Sequence, residues 1–126
     1  MKRISITHVN NSHNTWLRAL EFYKQEIAYL KQRLTEIAGR NTGHEVSAQV
    51  EHFENQFKLH LEQIDSMTHN IRENIHAISN EAKSSSGYID PNLVLQHEHL
   101  EKDFTDEEGI IHDIRRDFNR FSAEWL

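Results

Sequence analysis

The sequence contains no cysteine, one proline and four glycines among its 126 residues. Without cysteine the chain has no disulfides, no thiolate ligands for zinc or iron–sulfur clusters and no cysteine nucleophile. It also lacks a glycine-rich phosphate-binding loop and a Gly-x-Ser-x-Gly elbow, which mark many nucleotide-binding proteins and hydrolases. The scarcity of glycine and proline predicts few, long structural elements, and the missing motifs favour a protein that is not an enzyme.

Long apolar runs are missing as well. No stretch approaches the ~18 apolar residues that a membrane span needs. The N-terminal residues MKRISITHVNNSHN are basic at the start but lack the apolar run of a signal peptide. We therefore expect a soluble, cytoplasmic protein that does not bind membranes.

The net charge of −6 is unevenly distributed along the chain. Residues 1–40 carry seven lysines and arginines against three acidic residues, whereas residues 41–89 carry three against seven and residues 90–126 four against ten. A basic segment followed by two acidic segments indicates charge complementarity within a bundle. It does not indicate nucleic-acid binding, which needs an exposed basic excess.

Three runs of mostly apolar residues repeat at alternating steps of three and four, which places each run on one stripe of a helix. A seven-residue period held this long predicts coiled-coil-like, left-handed packing of the helices. The stripes are Trp16, Leu20, Tyr23, Ile27, Leu30, Leu34 and Ile37; Val46, Val50, Phe53, Phe57, His60, Ile64, Met67, Ile71, Asn74 and Ile78; and Leu93, His97, Leu100, Phe104, Glu107, Ile111, Ile114, Phe118, Phe121 and Trp125.

The segments between the stripes carry signals that end and begin helices. Gly39 suits the end of the first helix, and Thr42-x-x-Glu45 has the spacing of a capping box that opens the second. Asp90 followed by Pro91 is an N-cap with proline at the first helical position.

These boundaries predict an all-α fold, an antiparallel three-helix bundle in one domain over residues 1–126. We place the helices at about residues 13–38, 43–79 and 91–123. The first ten residues show no helical period, and the spacing of their apolar residues predicts an extended N-terminal segment along the bundle.

Residues 69–76, HNIRENIH, contain the residue types and spacings of a helical metal site. His69, Glu73 and His76 follow one another at steps of four and three, as ligands do in carboxylate-bridged iron and manganese bundles. The stripe register nevertheless places all three towards solvent. Ferritin-like sites need two Glu-x-x-His motifs that project into the core, and this sequence has one.

The histidines also leave hemerythrin-like sites unsupported, because such sites collect inward-facing histidines and carboxylates from four helices. We therefore expect no cofactor. The alternative is an iron-, manganese- or zinc-binding bundle that uses surface histidines and glutamates. Such a site would need His8 or His13 as an additional ligand, since the octet alone supplies too few.

Four polar residues fall on the stripes: His60, Asn74, His97 and Glu107. We expect His60 to bond the hydroxyl of Tyr23, Glu107 to accept a hydrogen bond from the indole of Trp16, Asn74 to lie at an edge, and His97 to be half exposed. Counting residues along antiparallel helices places His60 and Glu107 one heptad apart, which is roughly 10 Å along the bundle axis. These two residues are therefore not expected to pair. Isolated polar core residues of this kind commonly fix helix register.

Large apolar residues also lie off the stripes, namely Leu17, Phe22, Tyr29, Leu59, Leu61 and Ile110. Phe22 and Tyr29 are seven residues apart and occupy the same outer position of the first helix. An exposed apolar face on a small bundle indicates a protein partner, most simply a second copy. The sequence therefore favours a non-enzymatic bundle that acts through protein–protein contacts as a homodimer.

The chain is rich in histidine, with ten residues of this type. At an unperturbed pKa of about 6.5, most of them gain a proton by about pH 5.5 and bring the net charge to roughly +3. A response of the protein to acid is therefore a further prediction.

Overall fold

The computed structural model describes residues 6–84 and 89–125. Within them the chain forms three helices, α1 (Ile6–Arg40), α2 (His44–Ser84) and α3 (Pro91–Trp125). Each helix contacts the other two, which confirms the predicted three-helix bundle. Contacts from His13 to Asn74 and from Lys24 to Asp65 show that α1 and α2 are antiparallel.

The heptad stripes of the three helices meet in one main core. In the half near the α1–α2 turn this core is almost entirely apolar and rich in phenylalanine, with Ser122 as a buried polar residue. Phe53 packs against Phe118 and Phe121 with ring centroids 5.4 and 5.1 Å apart, and Phe57 lies 5.6 Å from Phe118. Because aromatic side chains bury large areas in defined geometries, these four residues contribute strongly to stability.

The predicted extended segment is wrong from Ile6 onwards, because α1 already begins there; residues 1–5 lie outside the described residues. The stripe of α1 continues backwards from Trp16 at steps of three and four, through His13 to Val9. Val9 is fully buried and packs in a small second cluster with Ile78, Ile89 and Val94. The longer α1 thus covers the last turns of α2, which would otherwise expose Ile78.

Hydrogen bonds close the helix ends. Asn41 donates from its side-chain amide to the carbonyls of Ile37 and Trp125, at 3.0 and 3.1 Å, and so ties the end of α1 to the end of α3. Asp90 caps α3, because its Oδ1 accepts a hydrogen bond from the backbone N–H of Asn92 at 2.8 Å. At the start of α2 the carbonyl of Gly43 accepts from the backbone N–H of Ser47, so α2 begins one residue later than predicted.

No helix in residues 6–84 and 89–125 has a stretch long and apolar enough to cross a membrane.

Candidate functional site

Five buried polar residues of the core lie between the phenylalanine-rich end of the bundle and the start of α1, and a sixth, Ser122, follows Phe121 on α3. The five form two groups. The first, which we name the histidine layer, consists of His13, Asn74 and His97, one residue from each helix. The second is the pair of His60 on α2 and Glu107 on α3. All five residues are less than a tenth exposed, and buried polar groups are costly unless they are hydrogen-bonded.

In the histidine layer, one nitrogen of His13 meets both partners. His13 Nε2 lies 2.9 Å from Asn74 Oδ1 and 3.3 Å from His97 Nδ1. The Asn74 amide donates from Nδ2 to the carbonyl of Leu93 and to Gln96 Oε1, each at 3.4 Å, which turns its oxygen towards His13. His13 is therefore protonated at Nε2 and donates this hydrogen to Asn74 Oδ1. His97 Nδ1 is unprotonated and directs its lone pair towards His13 Nε2.

This arrangement leaves the second nitrogen of His13 without a partner. His13 is 0% exposed, and its Nδ1 finds no hydrogen-bond partner among the described residues. Aromatic rings enclose the layer on the side of the main core. Trp16 lies edge-on to His13 with centroids 5.5 Å apart, and it lies 4.9 Å from the ring of His97.

Burial lowers the pKa of both histidines of the layer below the ordinary value of 6.5. For His13, desolvation is the largest cause and nearby His97 lowers the pKa further, whereas the bond to Asn74 raises it. For His97, desolvation again dominates. Both rings are therefore neutral at pH 7, since a charged imidazole loses its hydration in this environment.

A surface groove between α2 and α3 reaches the histidine layer at Asn74. Its volume is about 510 Å³. Five of the eight lining residues are polar and three are apolar. The lining residues are Asn70, Glu73, Asn74, Ala77, Leu93, Gln96, His99 and Leu100.

His60 and Glu107 form the second polar group. His60 Nδ1 lies 2.8 and 3.0 Å from the two carboxylate oxygens of Glu107, so the carboxylate accepts from the ring N–H and fixes its orientation. Two sequence expectations are wrong here: the two residues do pair, and the Tyr23 hydroxyl donates to Glu108 at 2.5 Å rather than bonding His60. A third expectation, a hydrogen bond from the Trp16 indole to Glu107, is also wrong: both carboxylate oxygens of Glu107 face His60, and Trp16 stacks on Phe104.

A second, smaller groove of about 320 Å³ opens onto this pair. Its lining includes Asp103 and Asp106 together with His60 and Glu107.

The residues of the octet HNIRENIH lie elsewhere, on the outer surface of α2. His69 Nε2 is 3.9 Å from Glu73 Oε1, and their side chains are 71% and 69% exposed; His76 is exposed as well. In the described part of the chain, no group of three or more histidine, aspartate or glutamate side chains is arranged to hold a metal ion.

The sequence did not lead us to predict His13 as a core residue, or the full burial of Asn74 and His97. Asn74 is 3% exposed and does not lie at an edge, and His97 is 2% exposed rather than half exposed, so both expectations are wrong. The signal for His13 was present in the sequence. Stepping back three residues from Trp16 reaches His13, and four more reach Val9, but the polar stretch NNSHNT conceals that continuation.

No protein-family model matches the chain, and neither a curated protein nor a solved structure matches it.

Proposed function

We propose that this protein is a non-enzymatic interaction module that forms a homodimer through the outer surface of α1 and α3. The observation that carries the proposal is the exposure of two aromatic side chains. Phe22 and Tyr29 are each 58% exposed and lie two helical turns apart on the same side of α1. Aromatic residues placed in this way are typical of interface centres, where they supply apolar contact area.

A shallow concavity on α3 lies beside these aromatics. Phe22 packs edge-on to Tyr23 with centroids 5.8 Å apart, and Tyr23 packs edge-on to His112 at 6.1 Å. His112 belongs to the lining of the concavity, which is completed by Arg115, Arg116, Asn119, Arg120 and Ala123. The guanidinium of Arg115 also donates to Glu26 of α1, from Nε at 2.9 Å, and thereby holds the two helices together beneath the surface.

The two features are complementary in chemistry. Aromatic faces bind guanidinium groups through cation–π contacts, and three arginines line the concavity. Because the aromatic patch and the arginine-lined concavity are neighbours on one surface, a two-fold axis between α1 and α3 places each against the other feature of a second copy. Such an isologous interface is the commonest symmetry of homodimers.

Other exposed apolar residues are less suited to this role. Leu59, Leu95 and Ile110 are 51%, 51% and 44% exposed, but they are single aliphatic residues on different positions of α2 and α3. Scattered surface residues of this kind are normal in monomeric proteins. They therefore serve as controls.

Sedimentation equilibrium of the purified chain tests the proposal. We expect the wild type to sediment with the mass of two chains. The double variant Phe22→Ser/Tyr29→Ser is expected to sediment as one chain at the same concentration. The matched control, Leu59→Ser/Leu95→Ser, removes two similarly exposed apolar side chains and is expected to stay dimeric.

Two results contradict the proposed dimer. One is a wild-type protein that is monomeric at the highest concentration tested. The other is a dimer that the aromatic double variant leaves intact, because the interface must then lie elsewhere. Circular dichroism of each variant checks that the helices are retained.

A further inference from the structure

We propose that the histidine layer is a proton-released lock: when His13 or His97 gains a proton, the first turns of α1 detach from α2 and α3 while the phenylalanine-rich half of the bundle stays folded. This inference is independent of the dimer proposed above. It rests on the hydrogen-bond geometry of the layer and on the division of the core into two clusters.

The histidine layer offers no hydrogen-bond acceptor for a proton added to either ring. A proton added to His13 goes to Nδ1, which is buried and has no acceptor among the described residues. A proton added to His97 at Nδ1 points at His13 Nε2, 3.3 Å away, and that nitrogen already carries the proton donated to Asn74. Either addition therefore buries an unpaired N–H with a positive charge, which costs far more than burying a neutral ring.

The layer also separates two apolar clusters. On one side lies the main core, which includes Trp16 and the phenylalanines. On the other side lies the small cluster of Val9, Ile78, Ile89 and Val94. Because the small cluster buries few side chains, it adds little resistance to opening once the layer is disrupted, whereas the main core has its own contacts.

The charges around the layer do not compensate for a proton. On α1, His8 lies close enough to lower the pKa of His97. On α3, Glu101 and Glu98 raise it, but their effect is smaller than that of desolvation. On α2, Asn74 is neutral, and Glu73 is exposed and lines the neighbouring groove.

The sign of the pH effect follows from linkage. Below pH 6.5 the open state, in which both histidines are hydrated, binds more protons than the closed state. Acid therefore favours opening, and the effect ends only below the lowered pKa values of the closed state. One proton taken up on opening changes the opening equilibrium by about tenfold per pH unit, and two by up to about a hundredfold.

Amide hydrogen exchange of the full-length wild type tests the proposal directly. Protection factors, corrected for the intrinsic pH dependence of exchange, are compared at pH 7.5 and pH 5.5. We expect a fall of more than tenfold at the lock end and little change at the far end. The lock end comprises residues 9–16, 74–78 and 93–97; the far end comprises residues 30–37, 50–57 and 114–121.

A variant shows which groups are responsible. In His97→Gln only one of the two protons remains, so the fall in protection at the lock end between pH 7.5 and pH 5.5 is expected to be up to about tenfold smaller than in the wild type. The control His69→Gln removes an exposed histidine and is expected to behave like the wild type. Equal loss of protection at both ends, or no loss at either end, overturns the proposal, and both outcomes are decided by the wild type even if His97→Gln fails to fold.

Discussion

His60 Nδ1 and the Glu107 carboxylate face each other across the α2–α3 interface at 2.8 Å, inside an otherwise apolar stretch of the core. His60 is 8% and Glu107 3% exposed, so each depends on the other for hydrogen bonding. Removing one partner of a buried pair leaves the other without compensation, whereas replacing both by apolar residues of similar volume is often neutral or stabilising.

The first prediction concerns this pair. Glu107→Leu alone is expected to lower the free energy of unfolding by about 1–3 kcal/mol, because it leaves the buried N–H of His60 without an acceptor. The double variant His60→Leu/Glu107→Leu is expected to recover most of that loss. Urea unfolding followed by circular dichroism at pH 7.5 measures both. If the double variant is no more stable than Glu107→Leu, the pair stabilises the protein through side-chain packing rather than through its hydrogen bonds.

The pair also shows what the sequence could and could not predict. Placing His60 and Glu107 on the stripes needs only the heptad period, which is local information. Whether they touch depends on the relative level of α2 and α3, which residue counting estimated wrongly. An error of one helical turn is about 5.4 Å, which is enough to separate a contact from its absence, and the flexible arm of glutamate extends its reach further.

The histidine layer illustrates a second limit of prediction from the sequence. Three residues from three helices meet there, and no local pattern reports such a meeting. The spacing does place His13 on the stripe of α1, yet the polar residues around it resemble a segment outside the helix. Only the packing of Val9 against Ile78 and Val94, which is tertiary, shows that the helix must begin earlier.

The second prediction concerns the octet HNIRENIH. The double variant His69→Ala/His76→Ala is expected to change the free energy of unfolding by less than about 0.5 kcal/mol, because both side chains are exposed and lie outside the core. The alternative function, a metal-binding bundle, predicts in addition that the octet binds a metal ion. Isothermal titration with zinc, manganese or ferrous iron would then show binding to the wild type that the single variant His76→Ala abolishes, and unchanged affinity in that variant removes the octet as a site.

The third prediction concerns Gly109, which lies on the exposed side of α3. A methyl group added at this position meets no atom within 4 Å, so the glycine is not required by a close contact. Gly109→Ala is expected to stabilise the protein by about 0.5–1 kcal/mol, since alanine loses less backbone entropy in a helix. Thermal unfolding measures the gain. A destabilised variant indicates that α3 needs a backbone conformation other than a regular helix at this residue.

The fourth prediction concerns Tyr23, which is 7% exposed and donates its hydroxyl to Glu108. Burial, with the hydrogen bond and the negative charge of Glu108 as further causes, raises the pKa of Tyr23 to about 12. The folded-state pKa exceeds the ordinary value of about 10. Its contribution to stability is therefore complete below pH 10 and is lost as the pH rises from about 10 to about 12.

Spectrophotometric titration of the phenol, compared between the wild type and Tyr23→Phe, isolates this group because the difference between the two curves belongs to Tyr23. We expect the difference to have its midpoint near pH 12. In Glu108→Gln the midpoint is expected to move down but to remain above 10, because desolvation, the largest cause, is retained. A midpoint near 10 in the wild type would contradict the burial of Tyr23 between α1 and α3, and with it the contact that joins these helices below the proposed interface.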